Sequence, residues 1–287
     1  MNQVVKNVSD TAFLVAALRA REMERPDPLF RDPLAHKLAG EHGQAILATV
    51  PKRFPATWSV VIRTVIIDDY IADAVKNGVD TVVNLGAGLD TRPYRMNLPD
   101  SLQWIEVDFP HVIDLKAERL AGERPNCQLE HVKLDLTDRP ARQKFFAEVN
   151  ARGKAILVLT EGVTPYLVED EVGRLADDLR AMDKLRYWIV DYFSPLVNKY
   201  YGAKGRARFM KAAPFVFQPK DWFGFFAAHG WKAEQVRYLS DEGERLKRPL
   251  PMRPLMKLWL RFVSMVASPE RQRAMRSYAA YVLLIPK

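Results

Sequence analysis

The run TVVNL, Thr81 to Leu85, opens directly onto Gly86, Ala87, Gly88, Leu89, Asp90 and Thr91. Glycines straight after a short apolar strand let the chain turn without a Cβ clash and let a ligand press against bare backbone. Such a loop suits a dinucleotide, a phosphate or another ligand, although glycine pairs also occur in turns for structural reasons alone. The dinucleotide fingerprint needs a third glycine at position 91, where threonine stands, so the pyrophosphate motif is incomplete. The run WIEVD ends in Asp108, 22 positions after Gly86, the spacing at which an acid accepts hydrogen bonds from both hydroxyls of a ribose. The alternative role for Asp108 is to cap a helix that starts after Pro110. Asp135, in LDLTD, could accept from the exocyclic amine of an adenine while a neighbouring backbone amide meets a ring nitrogen, with Asp138 the candidate helix cap. Glu161 follows another apolar run. Glycines and acids at four successive strand ends would line a single crevice.

The elements that must hold these residues alternate. Strands are expected at Thr81–Leu85, Gln103–Val107, Leu129–Leu134, Ala155–Thr160, Tyr187–Tyr192, Lys232–Leu239 and Tyr278–Leu284, with helices at His111–Ala121, Ala141–Asn150, Glu169–Met182 and Trp222–His229 between them. Near-continuous apolar strands alternating with helices predict an α/β fold with a doubly wound, mostly parallel seven-stranded sheet covered on both faces. Upstream, Asp10–Glu24, a short Leu34–Ala39 and Trp58–Lys76 read as helices, the last carrying Val61 with Val65 and Ile67 with Ile71 and Val75 at helical spacing. The expected organisation is a helical cap over residues 1–57, a ligand-binding core over 58–195, a lid-like insertion at 196–219, and a closing part of the core at 220–287 that holds a helical insertion at about 240–277.

Composition narrows the function classes. The single cysteine, Cys127, excludes an intrachain disulfide framework and any cysteine-based metal cluster, and no metal dependence is indicated. No secretory leader pattern and no apolar run long enough to span a bilayer is visible, so a cytoplasmic protein without membrane association is expected. The formal charge of +8 raises nucleic acid as a partner, but much of the excess lies between Arg237 and Arg276, where a solvated helical face accounts for it and no nucleic-acid motif is present.

Taken together, NLGAGLDTRPYR, IEVDFPHVIDLKAERL, VKLDLTD and LTEGVTPYL resemble the leucine carboxyl methyltransferase family of S-adenosylmethionine-dependent enzymes, including its tetracenomycin-type polyketide O-methyltransferases. TAFLVAALRARE, RPDPLFRDPLA and IRTVIIDDYI extend the likeness, which covers approximately residues 10 to 193. The resemblance implies S-adenosyl-L-methionine as methyl donor and S-adenosyl-L-homocysteine as product. It assigns Gly86, Ala87 and Gly88 to the methionine part of the cofactor, Asp108 to the ribose, Asp135 and Leu136 to the adenine, Arg63 to the cofactor's carboxylate and Glu161 to its amine. Tyr166 takes the family's aromatic position beside the acceptor, in a loop that here reads GVTPYL.

Methyl transfer is a direct displacement in which positioning can supply most of the catalysis. A carboxylate acceptor is already ionised at neutral pH and needs no base, whereas a hydroxyl would benefit from one. His36, His111, His131 and His229 carry no recognisable base motif, which favours a carboxylate and leaves the catalytic residue unassigned. Tyr200, Tyr201, Phe209, Phe215 and Phe217, with Arg206, Arg208 and Lys211 among them, suit an aromatic or acidic small-molecule acceptor. The alternatives are methylation of a protein's terminal carboxylate, an NAD-dependent oxidoreductase built on Gly86, Gly88 and Asp108, and a non-enzymatic cofactor-sensing or nucleic-acid-binding module. The acceptor and the oligomeric state are not readable from these residues.

Overall fold

The uncharged central strands TVVNL and ILVLT can be stable only if both their faces are covered, and the sheet is built that way, with the charged strand QLEHVK at its edge. The computed structural model describes residues 8–51, 55–194, 215–252, 255, 262 and 267–287. Its strands are β1 (Thr81–Leu85), β2 (Gln103–Asp108), β3 (Gln128–Lys133), β4 (Ile156–Thr160), β5 (Leu185–Phe193), β6 (Trp231–Tyr238) and β7 (Ala279–Pro286). They form one seven-stranded sheet in the order β3-β2-β1-β4-β5-β7-β6. The first five run parallel, and β7 runs antiparallel between β5 and β6. Each expected strand is present, β1 with the expected bounds and the others with ends moved by at most two residues. Every residue of β1 and of β4 is buried.

The helices are α1 (Val8–Met23), α2 (Ala35–Thr49), α3 (Pro55–Lys76), α4 (Arg92–Arg95), α5 (Pro110–Arg119), α6 (Arg139–Arg152), α7 (Glu169–Arg180), α8 (Trp222–Ala228), α9 (Leu239–Arg245) and α10 (Pro269–Arg276), with a 3-10 turn at Thr164–Tyr166. One face of the sheet packs Phe145, Phe146, Leu175, Leu179, Trp188, Phe226 and Trp231. The other buries Ile62, Ile66, Ile67 and Ile71 of α3 against Trp104 and Tyr281. A third apolar cluster joins Ala16 and Ala17 of α1 and Leu38 and Ala39 of α2 to Leu89 of the glycine loop. The expected short helix at Leu34–Ala39 instead starts at Ala35 and runs to Thr49. Gly40, with φ +55°, breaks the helical geometry at the point where the apolar spacing was lost.

Of the expected insertions, residues 196–214 lie outside the described residues, and 240–277 contains most of α9 and all of α10. The basic stretch is extensively paired: Arg237 with Asp69 and Glu242, Arg245 with Glu242, and Arg276 with Asp241 and Glu244. No helix among the described residues is long and apolar enough to cross a membrane.

Candidate active site

Chain order reverses between β1 and β4, and in such sheets the ligand crevice lies outside the carboxyl ends of the strands flanking that point. The loop after β1 is fixed by its neighbour, since the amides of Gly86 and Ala87 both donate to the Val107 carbonyl, at 2.8 and 3.1 Å. Gly86 (φ +68°) and Gly88 (φ +51°) are both left-handed, a conformation glycine adopts without penalty. A Cβ on Gly86 would lie 2.5 Å from Val163 Cγ2, and one on Gly88 would lie 3.4 Å from Ala12 Cβ. The close approach expected of a ligand at Gly86 is therefore made, on the Cα side, by the loop after β4. Backbone conformation and packing already require glycine there.

Asp108 is a clamp at the end of β2. Its Oδ2 accepts from the Gly88 amide at 2.7 Å and its Oδ1 from the Phe109 amide at 2.7 Å. Each oxygen retains a lone pair for a further donor. Burial raises its pKa above the usual carboxylate value, against the lowering by the two amides. On the next strand the Leu134 amide donates to the Asp108 carbonyl at 3.0 Å, so β2 and β3 deliver their acids side by side. Asp135 is exposed and accepts on Oδ1 from the amide and hydroxyl of Thr137, while the Leu136 carbonyl accepts from Arg142. Asp138 caps α6 through the Ala141 amide, as expected.

The charged end of the crevice is denser than the motifs suggest. Arg63 Nε on α3 lies 2.8 Å from Glu161 Oε1, yet this buried N–H has no aligned hydrogen-bond acceptor among the described residues. Arg92 Nη1 reaches the other Glu161 oxygen at 2.9 Å and Asp90 at 2.7 Å, and Arg92 Nε reaches Asp68 at 2.7 Å. From Asp68 the contacts continue to Arg95 at 2.6 Å, to Asp32 at 3.8 Å and to Arg19 at 2.7 Å. Arg19 also donates to the Leu89 carbonyl and Thr91 Oγ1 to Asp32, tying the α1–α2 cap to the glycine loop. Burial pushes the Glu161 carboxyl up, but Arg92 and Arg63 outweigh it and hold it below the usual range.

At the end of β5, the buried Asp191 accepts from the Tyr281 hydroxyl at 2.6 Å and from the Gly162 amide at 2.9 Å. Beside it the 3-10 turn accommodates Pro165 and presents Tyr166, whose ring meets Phe215 edge-on at 5.2 Å; Phe215 in turn touches Phe193 at 4.9 Å. Tyr200, Tyr201 and Phe209 lie outside the described residues. Among the described residues no cluster of metal-ligating side chains is present.

The model of one protein family, leucine carboxyl methyltransferase, matches residues 12–180, more than half of the sequence and all of this constellation except Asp191, Phe193, Phe215 and Tyr281. The chain belongs to that family. Relatives include a presumed S-adenosyl-L-methionine-dependent methyltransferase of Streptomyces coelicolor, 32% identical over 263 residues that cover 85% of this chain and 89% of the relative. A similarly named protein of Streptomyces avermitilis is 31% identical over 256 residues, with 85% and 89% covered. In fold, the chain is similar to a presumed methyltransferase of Thermobifida fusca whose crystal structure superposes with a TM-score of 0.60 at 15% identity, covering 99% of this chain and 96% of that one.

In this methyltransferase chain the structure gathers Arg63, Gly86, Ala87, Gly88, Asp108 and Glu161 around the ends of β1, β2 and β4, with Asp135 and Leu136 just beyond β3. Sequence reasoning missed Arg19, Asp32, Asp68, Asp90, Arg92, Arg95, Asp191 and Tyr281. Asp90 and Arg92 stand in the recognised segment LDTRPYR, whose membership of the motif is the signal that could have found them, and Asp68 is a charged residue inside the apolar run IRTVIIDDYI. Asp191 carries the same mark within YWIVDYF.

Proposed function

We propose that the crevice binds S-adenosylmethionine and that the enzyme methylates a carboxylate or hydroxyl oxygen of a small, apolar or aromatic acceptor. The observation that carries this is the opposed Arg63–Glu161 pair beside the glycine loop. A cation and an anion at 2.8 Å, one of them with a buried N–H not aimed at an acceptor, are complementary to the carboxylate and ammonium of an amino acid. The residues present therefore fit the cofactor. Arg63 would take its carboxylate, Glu161 its ammonium, and Asp108 its ribose hydroxyls through lone pairs that the two amides leave unused. Asp135 and the Leu136 amide would meet the adenine. When bound, the cofactor supplies a methyl group on a sulfonium, an electrophile that needs no further activation.

What remains for the chain is to place the acceptor oxygen in line with that methyl group and keep it there. His42, His131 and His229 are engaged by Asp10, Glu106 and Asp177, and His111 lies by Asp108, the acid assigned to the ribose. A carboxylate acceptor, ionised without help, suits such a site best. The rings of Tyr166, Phe215 and Phe193, together with the exposed Val168 and Val216, offer an apolar wall. This favours the polyketide-like or aromatic acids acted on by the small-molecule branch of the family over a protein terminus. The test is a screen with radiolabelled methyl donor against aromatic acids, phenols and peptides ending in a free carboxylate. Base-labile label on an aromatic acid is expected, stable label on a phenol would move the reaction to ether formation, and label on the peptide alone would overturn the small-molecule reading.

A further inference from the structure

The charged network at the crevice has an even count of opposite charges. Arg19, Arg95, Arg92 and Arg63 alternate with Asp32, Asp68, Asp90 and Glu161 through contacts of 2.6 to 3.8 Å, four cations against four anions. Asp191 is the ninth member and has no cation within ion-pair distance among the described residues. It adjoins the network through the amide of Gly162, the residue after Glu161, at 2.9 Å. Its other oxygen is held by Tyr281, its cross-strand partner on β7, whose own carbonyl accepts from the Tyr70 hydroxyl at 3.2 Å. The groups facing it are thus Arg63 from α3, Glu161 and the Gly162 amide from the loop after β4, and the Tyr281 phenol from β7.

The methyl donor and its product differ by one charge. S-adenosylmethionine carries a sulfonium and an ammonium against one carboxylate, whereas S-adenosylhomocysteine has lost the sulfonium charge with the methyl group and is neutral overall. We propose that Asp191 is a positioning residue that matches the crevice to the cationic cofactor: in its carboxylate form it adds a negative charge beside the balanced network and so favours the donor over the product. This rests on the reading of the crevice as the cofactor site. Through Gly162 the same carboxylate holds the backbone beside Glu161, so charge and geometry act at one point.

Burial lifts the Asp191 pKa to about 6, against the lowering by Tyr281, Arg63 and the Gly162 amide, so its charge changes within an accessible pH range. A bound cation favours the carboxylate and lowers that pKa. Affinity for S-adenosylmethionine is therefore level above pH 6 and falls as pH drops below it, while S-adenosylhomocysteine responds less.

Titration calorimetry of the folded full chain with each ligand, at about pH 5 and about pH 8, reads this directly. The donor-to-product affinity ratio of the unaltered protein should rise about tenfold between the two pH values. Asp191→Asn should hold the ratio at its low-pH value throughout. Tyr281→Phe, which keeps the carboxylate but removes a hydrogen bond to it, should move the inflection to higher pH, and it decides the matter if the asparagine variant fails to fold. A ratio in Asp191→Asn that still follows pH as in the parent, an equal loss for both ligands, or an unmoved inflection in Tyr281→Phe overturns the proposal. If the unaltered protein binds neither ligand at either pH, it is the cofactor-site reading that falls.

Discussion

At the scale of single residues, the crevice is a set of buried charges that already answer one another. Removing Arg63 leaves Glu161 paired with Arg92, so the site should survive the change while losing its carboxylate partner. Arg63→Ala should weaken S-adenosylmethionine by about 1.5–3 kcal/mol, and methylthioadenosine, which lacks the amino-acid portion, much less; equal losses in calorimetry would refute the carboxylate role. Asp108→Asn keeps an acceptor oxygen but removes the charge, and should weaken both ligands alike, because both carry the ribose. The position of Asp108 at the crevice was legible in the sequence because it ends a strand at a set distance from the glycine loop, although the same residue could have capped the next helix, which instead has Phe109 at its N-cap. Asp191 was not, since it stands alone in the apolar strand YWIVDYF with no spacing rule attached, and only the fold brings Tyr281 and Gly162 to it.

At the scale of elements, two helices from the start of the chain are fastened to the loop after β1 by polar contacts as well as by Leu89. Asp32 is almost fully buried and serves Arg19 and Thr91 on one oxygen, while its Oδ1 has no aligned partner among the described residues. Breaking a buried ion pair from one side costs about 3–5 kcal/mol. Asp32→Ala should therefore lower the unfolding free energy by an amount of that order, and hydrogen exchange should show the gain in opening concentrated in α1, α2 and residues 86–91; a loss spread evenly over the sheet would contradict this. The strands were readable because each is a short apolar run between turn residues. Helix α2 was truncated in that reading because Gly40 interrupts the apolar spacing, although the chain resumes its helix beyond it. PDPLFRDP reads locally as a proline-rich turn, and nothing nearby in sequence reveals that its second aspartate, Asp32, reaches a threonine 59 positions away.

At the scale of the whole molecule, the carboxylates at the crevice link function to acid stability. Glu161 and Asp90 are held below the usual carboxylate range, where arginines outweigh their burial. The stability they contribute is complete above a pH of about 4 and disappears as acidification protonates them in the folded state. Asp191 has the opposite sign: its folded-state pKa is raised, so the native state loses stability as pH climbs from the unfolded value of 3.8 through about 6. Melting temperatures across pH should thus drop steeply at the acid end, and Asp191→Asn should abolish the shallower decline between those two values. The basic C-terminal stretch, with Arg237, Arg245 and Arg276 paired with the acids of α9 and with Asp69, should show no strong salt-dependent association with duplex DNA in a mobility assay. The position of β7 has one more effect. β6 is made first but cannot join the sheet except through β7, so a nascent chain that has only reached Tyr238 has an open, apolar β5 edge and an Asp191 without its phenol. Strand docking in this molecule cannot follow the direction of translation. The unfinished margin is where a chaperone or a neighbouring nascent chain would find its grip.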